Sequence, residues 1–124
     1  MSCRIMIVED EYWTAMDMAT AVEDHGGTVT GPVASVSEAV GLLQDGGGPD
    51  AAILDVNLRS SDVFPFADIL VRRGIPFVFA TGYEKEVIPD RFNHVPHFEK
   101  PVNILACVEA ALALAAGRET PQSG

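Results

Sequence analysis

Short apolar runs begin near residues 3, 28, 51, 75 and 95, so a strand-like segment returns every 20–25 residues with a helical pattern in between. Cys3–Val8 is apolar apart from Arg4, as a buried strand is. Glu11–His25 then carries Tyr12, Ala15, Met16, Ala19 and Val22 at helical spacing, and Gly26–Gly27 stops it. Thr28–Ala34 reads as a second strand, pushed toward a sheet edge by Gly31–Pro32. Ser35 and Glu38 have capping-box spacing ahead of a helix through Val40 and Leu43. After a glycine-rich turn over Asp45–Pro49, Ala51–Leu54 makes a third buried strand that ends at Asp55.

The rhythm continues to the far end of the chain. Pro65–Arg73 spaces Phe66, Ile69 and Leu70 for an inward helix face, and Gly74 ends that helix. Ile75–Ala80 is the fourth strand, and Lys85–Phe92 is at best a weak helix because Pro89 interrupts it. Val95–Glu99 is a short fifth strand. Pro101 stands at a favoured first position of a last helix, whose inward face is Ile104, Leu105, Val108, Ala111, Leu112 and Ala115. Five buried strands separated by helices imply a parallel sheet covered on both faces, with right-handed crossovers. The expected fold class is α/β: a flavodoxin-like, doubly wound, five-stranded parallel sheet in a single domain over residues 1–117, with 118–124 a flexible polar tail.

Composition narrows the function. The 124 residues suit one domain of about 100–150 residues. No apolar run approaches the ~20 residues that cross a bilayer, and the stretch before Glu9 is too short for a secretory signal. Two cysteines, Cys3 and Cys107, make no disulfide framework and read as reduced thiols of a cytoplasmic protein. Acidic residues outnumber basic ones 18 to 8, a formal net charge of −10 that repels phosphate backbones and argues against a nucleic-acid partner. The lysines number two, Lys85 and Lys100.

Ligands of a doubly wound sheet sit beyond the C-terminal ends of its strands. Glu9, Asp10 and Glu11 follow the first strand, Asp55 ends the third, Thr81, Gly82 and Tyr83 follow the fourth, and Lys100 with Pro101 follows the fifth. Glu11 is explained by the attraction of an acid to a helix N-terminus. The other acids would repel one another unless a cation lies between them, and hard oxygen ligands favour Mg²⁺ or Mn²⁺. Asp55 can then attack phosphorus as a carboxylate nucleophile, Lys100 can balance phosphoryl charge and Thr81 can donate a hydrogen bond to it.

Glu9–Asp10, Asp55, Thr81 and Lys100–Pro101 stand in the order and spacing of a known family. From Arg4 to about Gly117 the chain resembles the receiver domain (CheY-like fold) of a two-component response regulator. The resemblance implies phosphorylation of Asp55 by a sensor histidine kinase or a histidine phosphotransfer protein. It implies a metal site of Asp10, Asp55 and the backbone carbonyl of Asn57, with Glu9 acting through water. It also implies phosphoryl binding by Thr81 and Lys100, and a candidate cis-proline in Pro101 after the lysine. Phe79-Ala80-Thr81-Gly82-Tyr83, preceded by Pro76-Phe77, is similar to the run that gave the alphaproteobacterial "FAT GUY" receivers their nickname. Kinases of the HWE or HisKA2 classes are the partners that this narrower resemblance implies. The activity so implied is self-catalysed phosphorylation and dephosphorylation without turnover of a free substrate.

The chain departs from that pattern at three places. Glu9 stands where many receivers have Asp. Gly82 replaces the commoner Ala and is expected to bring backbone freedom and mobility. His97 occupies the usual aromatic switch position, three residues before Lys100, so Tyr83 and His97 are both candidate switch or shield residues, Tyr83 as a cover over the phosphoryl site. The three histidines are not spaced as a metal cluster, and Met6, Met16 and Met18 read as core filler. Trp13, at the start of the first helix, is expected to flank the site. Three rival readings are weaker. A magnesium-dependent phosphatase of the haloacid dehalogenase class would want Asp where Asn57 stands. A flavin or nucleotide module would want a glycine- or hydroxyl-rich loop after the first strand. A docking-only pseudo-receiver would not need the full set of acids, hydroxyl and lysine. No effector domain is expected after Gly117, so output would pass by protein contact or phosphate transfer to a downstream protein, with no membrane partner.

Overall fold

The computed structural model describes residues 3–44, 48–59, 62–82, 88–99 and 103–119. Five strands, β1 (Arg4–Val8), β2 (Thr28–Val33), β3 (Ala51–Asp55), β4 (Phe77–Thr81) and β5 (His97–Glu99), form one parallel sheet in the order β2-β1-β3-β4-β5. Four helices, α1 (Tyr12–Asp24), α2 (Val36–Leu43), α3 (Phe64–Arg73) and α4 (Ile104–Glu119), and a 3-10 turn (Asp90–Phe92) accompany it. The doubly wound sheet expected from the sequence is therefore present, with β2 at an edge.

Alternation along the strands builds two cores. Met6, Val8, Ala52, Leu54 and Phe79 face α2 and α3, whereas Ile5, Ile7, Ile53, Val78 and Ala80 face α1 and α4. From Ile5 to Val8 and from Ala51 to Leu54 both faces are buried, so these stretches are apolar throughout rather than alternating.

Local chemistry sets the element ends. The Glu11 carboxylate caps α1 by accepting from the Thr14 N–H at 2.8 Å, and the Thr14 hydroxyl donates to the same oxygen. Ser35 Oγ caps α2 by accepting from the Glu38 N–H, while the Glu38 carboxylate accepts from the Ala34 N–H. Gly74 closes α3 at φ +71°, in the left-handed region where a β-carbon is strained.

Several boundaries differ from the sequence reading. The fourth and fifth strands begin at Phe77 and His97, not Ile75 and Val95. Pro76 and Pro96 lack an N–H, and each enters the ladder through its carbonyl, to Ala52 and Phe79 respectively. In α1 the buried stripe is Ala15, Met18, Ala19 and Val22, so Tyr12 and Met16 turn to solvent. In α4 the exposed Leu105 gives its expected inward place to Cys107. That helix runs from Ile104 to Glu119, and its expected start at Pro101 lies outside the described residues. Among the described residues no helix is long and apolar enough to cross a membrane.

Candidate functional site

From β1 the chain winds outward to β2 on one side and to β3 on the other, so the β1/β3 seam is the topological switch point of the sheet. Glu9 and Asp10 leave the C-terminal end of β1, and Asp55 ends β3 beside them. One carboxylate oxygen from each of Glu9, Asp10 and Asp55 lies within 4.8 Å of the others. Glu9 is 3% exposed and Asp55 1%, so two of these acids are held away from bulk water.

Backbone amides orient all three. Asp55 Oδ1 accepts from the Asn57 N–H at 2.9 Å, and Glu9 Oε2 accepts from the Glu11 N–H at 3.0 Å. Asp10 Oδ2 accepts from the Arg59 N–H at 2.8 Å, across the gap between the β1 and β3 exits. Hydrogen bonds from these backbone N–H groups hold each carboxylate at one angle. Two ionised carboxylates at this separation repel by about 3–4 kcal/mol at an effective dielectric near 20. Three hard oxygen donors from three acids fit a divalent cation of the Mg²⁺ type, which relieves that repulsion.

Thr81 ends β4 and is buried, with its hydroxyl donating to the Phe98 carbonyl of β5 at 3.3 Å. Gly82 follows, and its N–H donates to Asn57 Oδ1 at 2.6 Å. Its φ lies outside the left-handed region, so the expected backbone freedom is not what this glycine supplies. A β-carbon there would stand 2.7 Å from Asn57 Oδ1, so any larger residue would have to push that side chain aside. Tyr83, Lys100 and Pro101 lie outside the described residues. His97 is exposed at the start of β5, paired with Phe79 two positions before Thr81. Trp13 is 71% exposed on the first turn of α1 and meets Tyr12 edge to face.

Beneath the acids, Cys107 of α4 is buried. Burial pushes its thiol up to about 12, and the charge of Glu9 adds to the shift. Cys107 as a neighbour of Glu9, Arg59 as the amide that orients Asp10, and the Asn57–Gly82 contact all escaped the sequence reading.

No family model matches the chain. A response regulator receiver protein from Sinorhizobium medicae WSM419 has the same fold, with a TM-score of 0.77 at 23% identity over 95% of this chain and 98% of that one. SdrG from Sphingomonas melonis Fr1 is much nearer in sequence, 41% identical with a TM-score of 0.78 over 93% of this chain and 97% of its own. The chain belongs to the response regulator receiver family. A second SdrG structure, in a BeF3-activated conformation, matches this receiver at 43% identity and a TM-score of 0.73, over 92% of the receiver and 98% of that chain. Among curated proteins, the phyllosphere-induced regulator PhyR of Methylorubrum extorquens is 29% identical over 118 residues. That match takes in 90% of this receiver, which spans 44% of PhyR's length.

Proposed function

We propose that this receiver accepts a phosphoryl group on Asp55 from a phosphorylated histidine of a sensor kinase or phosphotransfer protein. Its state would pass to a downstream protein by contact or by onward phosphate transfer. The observation that carries the reading is the buried Asp55, oriented by the Asn57 N–H, with Glu9 and Asp10 converging on it at the switch point. SdrG, described in a BeF3-activated conformation, supports it by likeness.

Asp10, Asp55 and the backbone carbonyl of Asn57, with Glu9 through water, would hold Mg²⁺ or Mn²⁺. When bound, that ion supplies positive charge against the phosphoryl oxygens. An Asp55 carboxylate oxygen attacks phosphorus, forming a P–O bond as the P–N bond to the partner's imidazole breaks. The imidazole nitrogen keeps the electron pair of that bond. Lys100 would offset the added charge. The Thr81 hydroxyl has a single hydrogen, now given to the Phe98 carbonyl. Giving that hydrogen to a phosphoryl oxygen would release Phe98 and so carry the event to β5. Asn57 cannot serve as an acid or base, which favours a switch over a phosphatase. The run Phe79–Tyr83 favours the "FAT GUY" subgroup and, with it, a kinase of the HWE or HisKA2 class.

The test is phosphorylation by acetyl phosphate with Mg²⁺, read by intact mass. Wild type is expected to gain one phosphoryl group and Asp55→Asn none. No gain from acetyl phosphate or from a phosphorylated HWE-class kinase, together with no uptake of beryllofluoride, would overturn the reading.

A further inference from the structure

The β3–β4 ladder pairs Asp55 with Ala80 and ends with the Val56 N–H on the Ala80 carbonyl at 2.9 Å. Beyond it the two chains would part, but a side chain carries the register further. Asn57, two residues past Asp55, accepts from the N–H of Gly82, two residues past Ala80, at 2.6 Å. The N–H of the same Asn57 is already on Asp55 Oδ1. One residue thus touches both the acceptor carboxylate and the residue that follows Thr81.

We infer that the Asn57 side chain is a clasp on the Gly82 N–H that must open when Asp55 is phosphorylated, so that Asn57 and Gly82 together set how fast the site is loaded. This rests on the proposed role of Asp55. A phosphoryl group there places anionic oxygens among the N–H groups at the ends of β3 and β4. Charge-assisted hydrogen bonds are about twice as strong as neutral ones, so a phosphoryl oxygen displaces the amide oxygen of Asn57 from a shared donor. The neutral bond is lost on the way, and a bond of that kind is worth a rate factor of about two to ten.

The steric fit supplies an independent handle. A β-carbon at position 82 would come within 2.7 Å of Asn57 Oδ1 and 3.2 Å of its Cγ. The atom in the way is the end of a short side chain, which can swing aside. Gly82→Ala therefore opens the clasp by pushing, and Asn57→Ala opens it by deletion while leaving its backbone carbonyl in place. Because both act on one bond, their effects do not add.

The full chain decides this in two arms. Hydrogen exchange of the amide at position 82, read by NMR without metal or phosphoryl donor, is expected to be at least about tenfold slower in wild type than in Asn57→Ala. Equal exchange overturns the clasp. Loading by acetyl phosphate at saturating Mg²⁺ is expected to be about two- to tenfold faster in each single variant, and no faster in the double variant than in either. Unchanged or slower loading, or single effects that multiply in the double variant, overturns the control of loading. No loading of wild type by any donor overturns the proposed role of Asp55 and the control of loading with it, while the exchange arm still decides the clasp.

Discussion

Cys107 shows how far a buried group's chemistry follows from its surroundings. Its thiol holds its proton to about 12 rather than the usual 9.0, because burial penalises the thiolate and Glu9 lies close by. Thiolate is the reactive form, so iodoacetamide at neutral pH is expected to label Cys3 and spare Cys107 until the chain is unfolded. Mass mapping of the labelled peptides checks this. The unfolded thiol ionises first as pH rises through 9, while the folded one stays protonated to about 12. The contribution to stability is therefore whole below pH 9 and declines above it, by up to about 1.4 kcal/mol per pH unit. Urea midpoints taken from about pH 8 upward are expected to fall more steeply in wild type than in Cys107→Ala. At this scale the sequence was legible where position alone singles out a residue. Glu9, Asp10 and Asp55 stand at strand ends, and Glu11 is a helix cap. Contacts between residues far apart, such as Asn57 with Gly82 or Cys107 with Glu9, leave no local pattern. Gly82 was misread for that reason: its neighbour is 25 residues away.

Among the elements, the 3-10 turn has more structural weight than its length suggests. Phe92 is buried in a cluster with Phe64, Phe77 and Phe79, with ring centroids 5.5–6.0 Å from its own. Arg91 beside it grips Asp68 of α3 with two bonds of 3.0 Å and lies over the Phe92 ring at 4.7 Å. That guanidinium holds the Asp68 carboxyl below its usual value. The turn thereby closes the α3 side of the sheet with an aromatic plug. Phe92→Ala is expected to cost about 3–5 kcal/mol, read as a lowered urea midpoint. Its phosphoryl chemistry below the new midpoint should persist, because Phe92 touches none of the site acids. Of the weak helix expected over Lys85–Phe92, residues 85–87 lie outside the described residues and Asp90–Phe92 is a 3-10 turn that begins after Pro89. The faces of α1 and α4 were harder to read. Both helices are rich in alanine, so one-position rotations of the apolar stripe look alike, and Tyr12, Met16 and Leu105 were placed inward. Strand starts at Pro76 and Pro96 were misjudged because an apolar run does not reveal where the ladder takes its first N–H.

For the molecule as a whole, the doubly wound class and the edge place of β2 were legible, whereas the full order of the strands was not. A rhythm of strand and helix selects a doubly wound sheet, and the sheet selects its own switch point. The same architecture concentrates three carboxylates at one edge of a chain that already carries a net charge of −10. That energetic tension predicts how stability responds to metal. If the acids hold Mg²⁺ as proposed, the ion at a hundredfold over its dissociation constant is expected to stabilise the folded state by about 2.7 kcal/mol and to raise the melting midpoint by several degrees. Asp10→Asn is expected to lose most of that rise and, without metal, to melt no lower than wild type, because one repelling charge is gone. Thermal scans with NaCl at matched ionic strength separate binding from screening. An equal Mg²⁺ rise in Asp10→Asn would exclude the acidic cluster as the binding site.

The sheet's two margins carry a last consequence. At one side β2 carries Pro32, which has no N–H to offer, and its ladder to β1 is irregular there; at the other side β5 is three residues long. A strand recruits a foreign neighbour through a long regular run of ladder groups, and among the described residues both margins are short or irregular. Copies of this chain can therefore crowd together without their sheets templating one another into aggregates.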